Sequence, residues 1–168
     1  MADASSIRKA SSLSSSSDAG SAFYKSAIRF YNNQAHVNTG TQWAPLGNVV
    51  LNVPLQTATD ATDQNAFIAD RAYQVVSVSE VHSVAGTDAG AVTLAVNKCT
   101  GTQAASAGAN ILTSTLNLKN TANTVASGTL SATAANSVLA AGNRIAFDIT
   151  GTTTGLVGAV VTIVLRPV

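Results

Sequence analysis

Short apolar runs divided by Gly, Asn, Asp and Thr clusters fill the chain from about Trp43 onward. That spacing predicts an all-β domain of sandwich or barrel type. Strands are expected at about 48–55, 73–84, 91–98, 111–118, 128–134, 144–150 and 158–166. Side chains alternate across a strand, so Val92, Leu94 and Val96 share one face, as do Ile145, Phe147 and Ile149, with Arg144 and Asp148 turned outward. In 158–166 the sets Ala159, Val161, Ile163, Leu165 and Val160, Thr162, Val164 are both largely apolar, which predicts a central strand or one at a subunit interface. The alternation slips near Val75–Val76, as a bulge would make it, and Pro54 marks the first strand as an edge or as one whose pairing breaks there.

Before residue 45 the pattern is different. Residues 1–22 hold nine serines and only two large aliphatics, Ile7 and Leu13, too few for a core. Next, Ala22–Tyr31 gathers Phe23, Tyr24, Phe30 and Tyr31, half of the eight aromatics in the chain. A short helix capped by Ser21 and a strand over "AIRFYNN" fit this segment about equally. The expected organisation is an extended N-terminal arm over 1–44 and a β-sandwich over 45–168.

Charge and composition narrow the function. The 168 residues carry nine Lys+Arg against eight Asp+Glu, 10% charged in all, where about 25% is usual. Eighteen Ser, twenty Thr and twelve Gly stand where Lys and Glu would be, which disfavours long surface helices. A net charge of +1 offers no field for a polyanion, so no nucleic-acid partner is expected. Nor is a membrane partner expected, since no run approaches the roughly 20 apolar residues of a spanning helix. The start lacks the apolar stretch of a secretory signal, and no Asn-x-Ser/Thr acceptor occurs, so production without export is expected. Residues 1–31 hold Arg8, Lys9, Lys25 and Arg29 against Asp3 and Asp18, leaving the arm positive and the rest at −1. Aromatics and cations together suit a docking element, so Arg8, Lys9, Phe23, Tyr24, Lys25, Arg29, Phe30, Tyr31 and Trp43 are the candidate partner-binding residues.

Residues for chemistry are few. His36 and His82 are the only imidazoles. Glu80 shares a strand face with His82 but no third metal ligand is spaced with them, and the pair reads as an outward polar one. Asp60, Asp63 and Asp70 lack the regular spacing of a calcium loop and read as a solvated loop. Cys99, the single cysteine, forbids an internal disulfide and reads as a buried or half-buried thiol despite neighbouring Lys98. "GTQAASAG" and "GTTTGLVG" are loops rather than phosphate cradles, and Trp43 before Pro45 is better placed to anchor a segment than to stack on a sugar. No enzyme, cofactor or metal site is expected.

The second half carries "TGTQA" at Thr100–Ala104, "LKNTANTV" at Leu118–Val125, "LAAGNRIAFDITGT" at Leu139–Thr152 and "VVTIVL" at Val160–Leu165. With these motifs residues 85–168 resemble β-sandwich structural proteins of tailed-bacteriophage virions, particularly head decoration (cement) proteins. The resemblance implies a jelly-roll-like sandwich, trimeric or otherwise oligomeric, that binds the major capsid protein outside an icosahedral head and stabilises it. It would be made in the host cytoplasm and end on the capsid exterior. The alternative is a head-fibre or tail-associated module that binds host glycan. Few aromatics past residue 45 (Phe67, Tyr73 and Phe147) favour the structural reading.

Overall fold

The structure, a computed structural model, describes residues 28–31, 34–38, 43–45, 47–56 and 63–168. The chain divides into two compact units, one reaching to Gly47 and including Pro167 and Val168, the other Asn48–Arg166. Among the described residues regular structure is β, apart from two short 3₁₀ turns at Ala105–Ala107 and Ala134–Ser137. No helix among them is long and apolar enough to cross a membrane.

In the first unit, β1 (Ile28–Tyr31), β2 (Gln34–Asn38) and β3 (Trp43–Pro45) form an antiparallel sheet in chain order. Of the expectations for Ala22–Tyr31, the strand holds over Ile28–Tyr31, and residues 22–27 lie outside the described residues. The β-branched and aromatic "IRFY" suits a ladder, and cross-strand bonds to β2 satisfy its backbone.

The second unit contains β4 (Val49–Pro54), β5 (Asp63–Ile68), β6 (Tyr73–Val81), β7 (Thr93–Cys99), β8 (Ala109–Asn110), β9 (Leu116–Asn117), β10 (Ala126–Gly128), β11 (Val138–Leu139), β12 (Arg144–Thr150) and β13 (Val160–Pro167). Antiparallel pairs nest inside one another: β4 with β13, β5 with β12, β6 with β10 and β11, and β7 with β8 and β9. Successive pairs fall alternately into two sheets, ordered β10-β6-β13-β4 and β5-β12-β7-β8, with β11 also on β6 and β9 on β7. The two antiparallel sheets form a β-sandwich, as expected.

The alternation read from the sequence places the core. Ile145, Phe147 and Ile149 of β12 and Leu94 and Val96 of β7 face Val161, Ile163 and Leu165 of β13, all essentially buried. Each such side chain contributes about 1.5–3 kcal/mol through removal from water. Val49, Leu51 and Val53 of β4 pack against this core, opposite Leu165, Ile163 and Val161. β13 lies inside its sheet and β4 at the edge, where Pro54 withholds no ladder donor from a second neighbour. In β6 two successive residues, Val76 and Ser77, are exposed, so the slip falls one position beyond the expected one.

Three expectations fail in detail. Residues 111–118 and 128–134 are not continuous strands. Ile111, Leu112 and Leu118 enter the core from irregular backbone, whose N–H groups find separate acceptors: Ile111 on Val96 O, Leu118 on Val92 O, Leu112 on Asn110 Oδ1. Only β9, β10 and the bridge Leu112–Leu130 remain of those two ladders. Conversely Asp63–Ile68, read as part of a loop, is a strand held along β12.

Candidate interaction surface

Of the predicted partner-binding residues, Arg8, Lys9, Phe23, Tyr24 and Lys25 lie outside the described residues, as does Asp60. Arg29, Phe30 and Tyr31 lie on β1 opposite His36, Ala35 and Gln34. Trp43 lies on β3 opposite Asn38, so β2 separates it from the β1 group in the sheet.

The sandwich itself presents two unlike outer faces. Outward from the β5-β12-β7-β8 sheet stand Asp63, Arg144 and Asp148, and the 3₁₀ turn Ala105–Ala107 covers part of β7, where the Asn97 amide donates to Ala105 O at 2.8 Å. Asp63 and Asp148 are direct cross-strand partners. Partial burial, and then the neighbouring Asp63 charge, push the Asp148 carboxyl above its ordinary value. Asp70, beyond the other end of β5, accepts from Tyr73 OH at 2.6 Å and from Arg71 Nη2 at 2.9 Å. These bonds, Arg71 foremost, hold Asp70 below the usual carboxylate range. Asp63 and Asp70 thus serve different local contacts, and no cluster of three or more metal-ligating side chains occurs among the described residues.

The β10-β6-β13-β4 sheet is the opposite case. Its strands contribute Val50, Asn52 and Pro54, then Val160, Thr162 and Val164, then Gln74, Val76, Ser79 and Val81, then Ser127 and Val138 to the outer face. Glu80 points inward, so Arg166 at the end of β13 is the only charged side chain on these strands outside the core, among the described residues. Val50, Val76 and Val138 are 56%, 41% and 39% exposed.

Three cations of the sandwich hold loops. Arg144 donates to Gly101 O and Gln103 O at 3.3 and 2.6 Å and to Asn65 Oδ1 at 2.6 Å. Lys119 Nζ donates to Asp88 O and Gly90 O at 2.7 and 3.0 Å, and Lys98 Nζ to Ala135 O and to Val138 O. Asp88 Oδ2 accepts from Thr152 N at 3.2 Å, and this bond draws its pKa down.

Glu80 and His82 correct the sequence reading most sharply. They share a strand face, as expected, but it is the inner one, and both side chains are fully buried. His82 Nδ1 lies 2.8 Å from Glu80 Oε1, and Nε2 lies 2.9 Å from Asn120 O, to which it donates. Asn123 N donates to His82 O at 2.7 Å, so this one residue fixes the 117–125 loop twice. Both ring nitrogens are engaged and Glu80 Oε2 has no partner, an arrangement that holds a loop rather than a metal. Cys99 is buried beside Ala105 and Ala146, and desolvation raises its pKa, which fits an inert thiol.

No family model matches the chain, and no curated protein matches it either. A solved structure of infectious bursal disease virus, Gx strain, aligns with 84% of this chain at 11% identity and a TM-score of 0.31. The aligned part covers 36% of that viral chain, and at this TM-score the likeness carries neither family nor function.

Proposed function

We propose that this chain is a non-enzymatic structural virion protein of the head decoration type, binding the outside of an icosahedral phage capsid and stabilising it. The observation that carries the reading is the nested antiparallel pairing of Asn48–Arg166 into two sheets, which we read as jelly-roll-like, an architecture used repeatedly in viral shells. The motifs that resemble decoration proteins are the parts that build it. Leu139–Thr152 contains β12, Val160–Leu165 is most of β13, Thr100–Ala104 is the loop tied by Arg144, and Leu118–Val125 is the loop tied by His82.

Jelly rolls also serve as sugar-binding and metal-binding domains, so the interior matters. Here Phe147, Leu94, Ile145 and Ile163 fill it, and its buried Glu80–His82 pair is engaged with itself and with backbone. A filled interior favours a brick over a pocket. Charge-poor outer surfaces fit the same role, because uncharged groups lose less hydration when buried against neighbours. Attachment through the arm, with Arg8, Lys9, Phe23, Tyr24, Lys25, Arg29, Phe30, Tyr31 and Trp43 on the capsid lattice, would gain from several arms binding together if copies associate.

Co-sedimentation of the full chain with capsids assembled without it tests the reading. Saturable binding, weakened by the double charge reversal Lys25→Glu/Arg29→Glu, is expected, together with capsids that survive higher temperature. Absence of saturable binding at micromolar protein would overturn it and turn attention to a glycan screen.

A further inference from the structure

We propose that the outer face of the β10-β6-β13-β4 sheet is the surface on which a second copy of this chain docks. A solvated sheet face normally carries charged residues between its apolar ones. This face does not. Apart from Arg166 at the end of β13, its outward positions along β4, β13 and β6 are valine, threonine, serine, asparagine, glutamine and proline, and Val50 and Val76 are 56% and 41% exposed.

Two of its polar side chains are already paired. The Thr162 hydroxyl donates to Asn52 Oδ1 at 2.8 Å, and the Gln74 amide donates to Ser137 Oγ at 2.8 Å. Covering these groups therefore strands fewer donors than covering a solvated surface would. Asn52 lies on the edge strand, where its amide nitrogen stays at a wet rim.

With a single charge, at one end, the face is better matched to a copy than to a charged partner. An acidic or basic protein would find little complement here, whereas a second valine-rich sheet packs face to face at about 10 Å, as sandwich sheets do. A twofold axis running across the strands places the two Arg166 side chains at opposite ends of the interface, so the one charge on the face is not set against itself. Four strands abreast and about seven residues long present roughly 450 Å² of sheet, so two copies cover roughly 900 Å² before side-chain relief is added. That lies near the lower bound of about 1,000 Å² for a specific interface and predicts a reversible, micromolar association. The inference concerns the free protein and holds whether or not the further partner is a capsid.

Sedimentation velocity of the full chain from about 1 to about 100 µM, a range that brackets micromolar binding, is the test. The weight-average mass is expected to rise from monomer toward dimer. Thr162→Lys and Val50→Lys should each weaken association at least tenfold with circular dichroism and melting unchanged, because each buries an unpaired charge only in the dimer. Thr150→Lys, on the exposed end of β12 in the other sheet, should associate like the parent. Val50 lies on an edge strand and more than half exposed, so its variant keeps the test valid if Thr162→Lys fails to fold.

A monomer at the highest concentration overturns the proposal, as does an oligomer of any order that survives both lysines. Capsid co-sedimentation separates it from the decoration reading. Binding by a chain that stays monomeric leaves decoration standing and removes this interface, and dimers that ignore capsids do the reverse. A monomer whose capsid binding is lost in Val50→Lys would show the face docking on the shell instead, and would equally overturn the copy.

Discussion

The buried Glu80–His82 pair supports a quantitative prediction through its coupling. In His82→Leu the Glu80 carboxylate loses its only hydrogen-bond partner, since Oε2 has none, and stays buried between the sheets. An uncompensated buried charge of this kind costs about 3–5 kcal/mol. In Glu80→Leu, His82 keeps its bond to Asn120 O and only Nδ1 is orphaned, a cost of about 1–3 kcal/mol. The double variant removes both polar groups together. What it forfeits is the tether to Asn120 O, about 1 kcal/mol, because Asn120 is exposed and its carbonyl can turn to water.

The double variant is therefore expected to be more stable than His82→Leu alone, with a coupling of several kcal/mol. Urea unfolding at pH 7 measures it directly. By melting, His82→Leu should lose roughly 10–15 °C for a unit of this size, and adding Glu80→Leu should restore more than half of that. Glu80→Gln gives a control, since a Gln amide can donate to Nδ1 and keep the loop tied. Simple additivity, with the double variant as unstable as the sum of the singles, would refute the reasoning. It would mean that the carboxylate finds water or another donor when His82 is lost.

Asp148→Asn should stabilise the sandwich at neutral pH. The native carboxyl titrates above its unfolded value, so its charged form disfavours folding, and the gap to the parent should close as pH falls through the raised value toward 3.8, as read from urea midpoints across pH. Gly151 and Gly142 separate clash from strain: both have positive φ, +88 and +82, but a Cβ at Gly151 would sit 2.1 Å from Ala91 O while one at Gly142 meets nothing within 4 Å. Gly142→Ala should cost about 1 kcal/mol from the left-handed backbone alone, and Gly151→Ala clearly more, by the same unfolding assay. Arg144→Met and Lys119→Met should leave the core intact but raise amide exchange in the loops they hold, 100–104 and 88–90 respectively; unchanged exchange would show that packing alone fixes those loops.

Where side-chain alternation is strict, the sequence predicts the structure closely. β4, β7, β12 and β13 fall where valine, isoleucine and leucine recur at every second position, and Pro54 correctly marks the edge. β5 escapes notice because "DQNAFI" has one large inward side chain, Phe67, and its strand character comes from the ladder to β12. The opposite error, strands read over 111–118 and 128–134, has a related cause. Leucines that plug a core from irregular backbone leave the same pattern as leucines on a strand.

The inward face of Glu80 and His82 was available in principle. With the slip placed at Val76–Ser77, Val78, Glu80 and His82 share one parity, and Val78 is plainly a core residue. The rule that charged residues face water hid this, and only the partner carbonyl of Asn120, 38 positions away, makes the exception affordable. The loop-holding roles of Lys98, Lys119 and Arg144 were not legible at all, because their acceptors are backbone carbonyls brought near by the winding.

These roles also explain how a chain with so little charge keeps long Thr- and Ala-rich connections in place. A carbonyl at a loop bend has no strand partner, and a cation reaching it from a neighbouring element satisfies two such groups at once, as Lys119 does for Asp88 and Gly90. Three of the five Lys and Arg of residues 48–166 work this way, and Arg71 is paired with Asp70. The reach of these side chains is thereby directed at the sandwich's own loops, and its sheet face, with Arg166 as its one charge, suits an uncharged surface such as that of a second copy. On the proposed reading the four cations of residues 1–31 would supply charge to a partner and the sheet face apolar contact to a second copy, so the chemistry of association would divide along the chain.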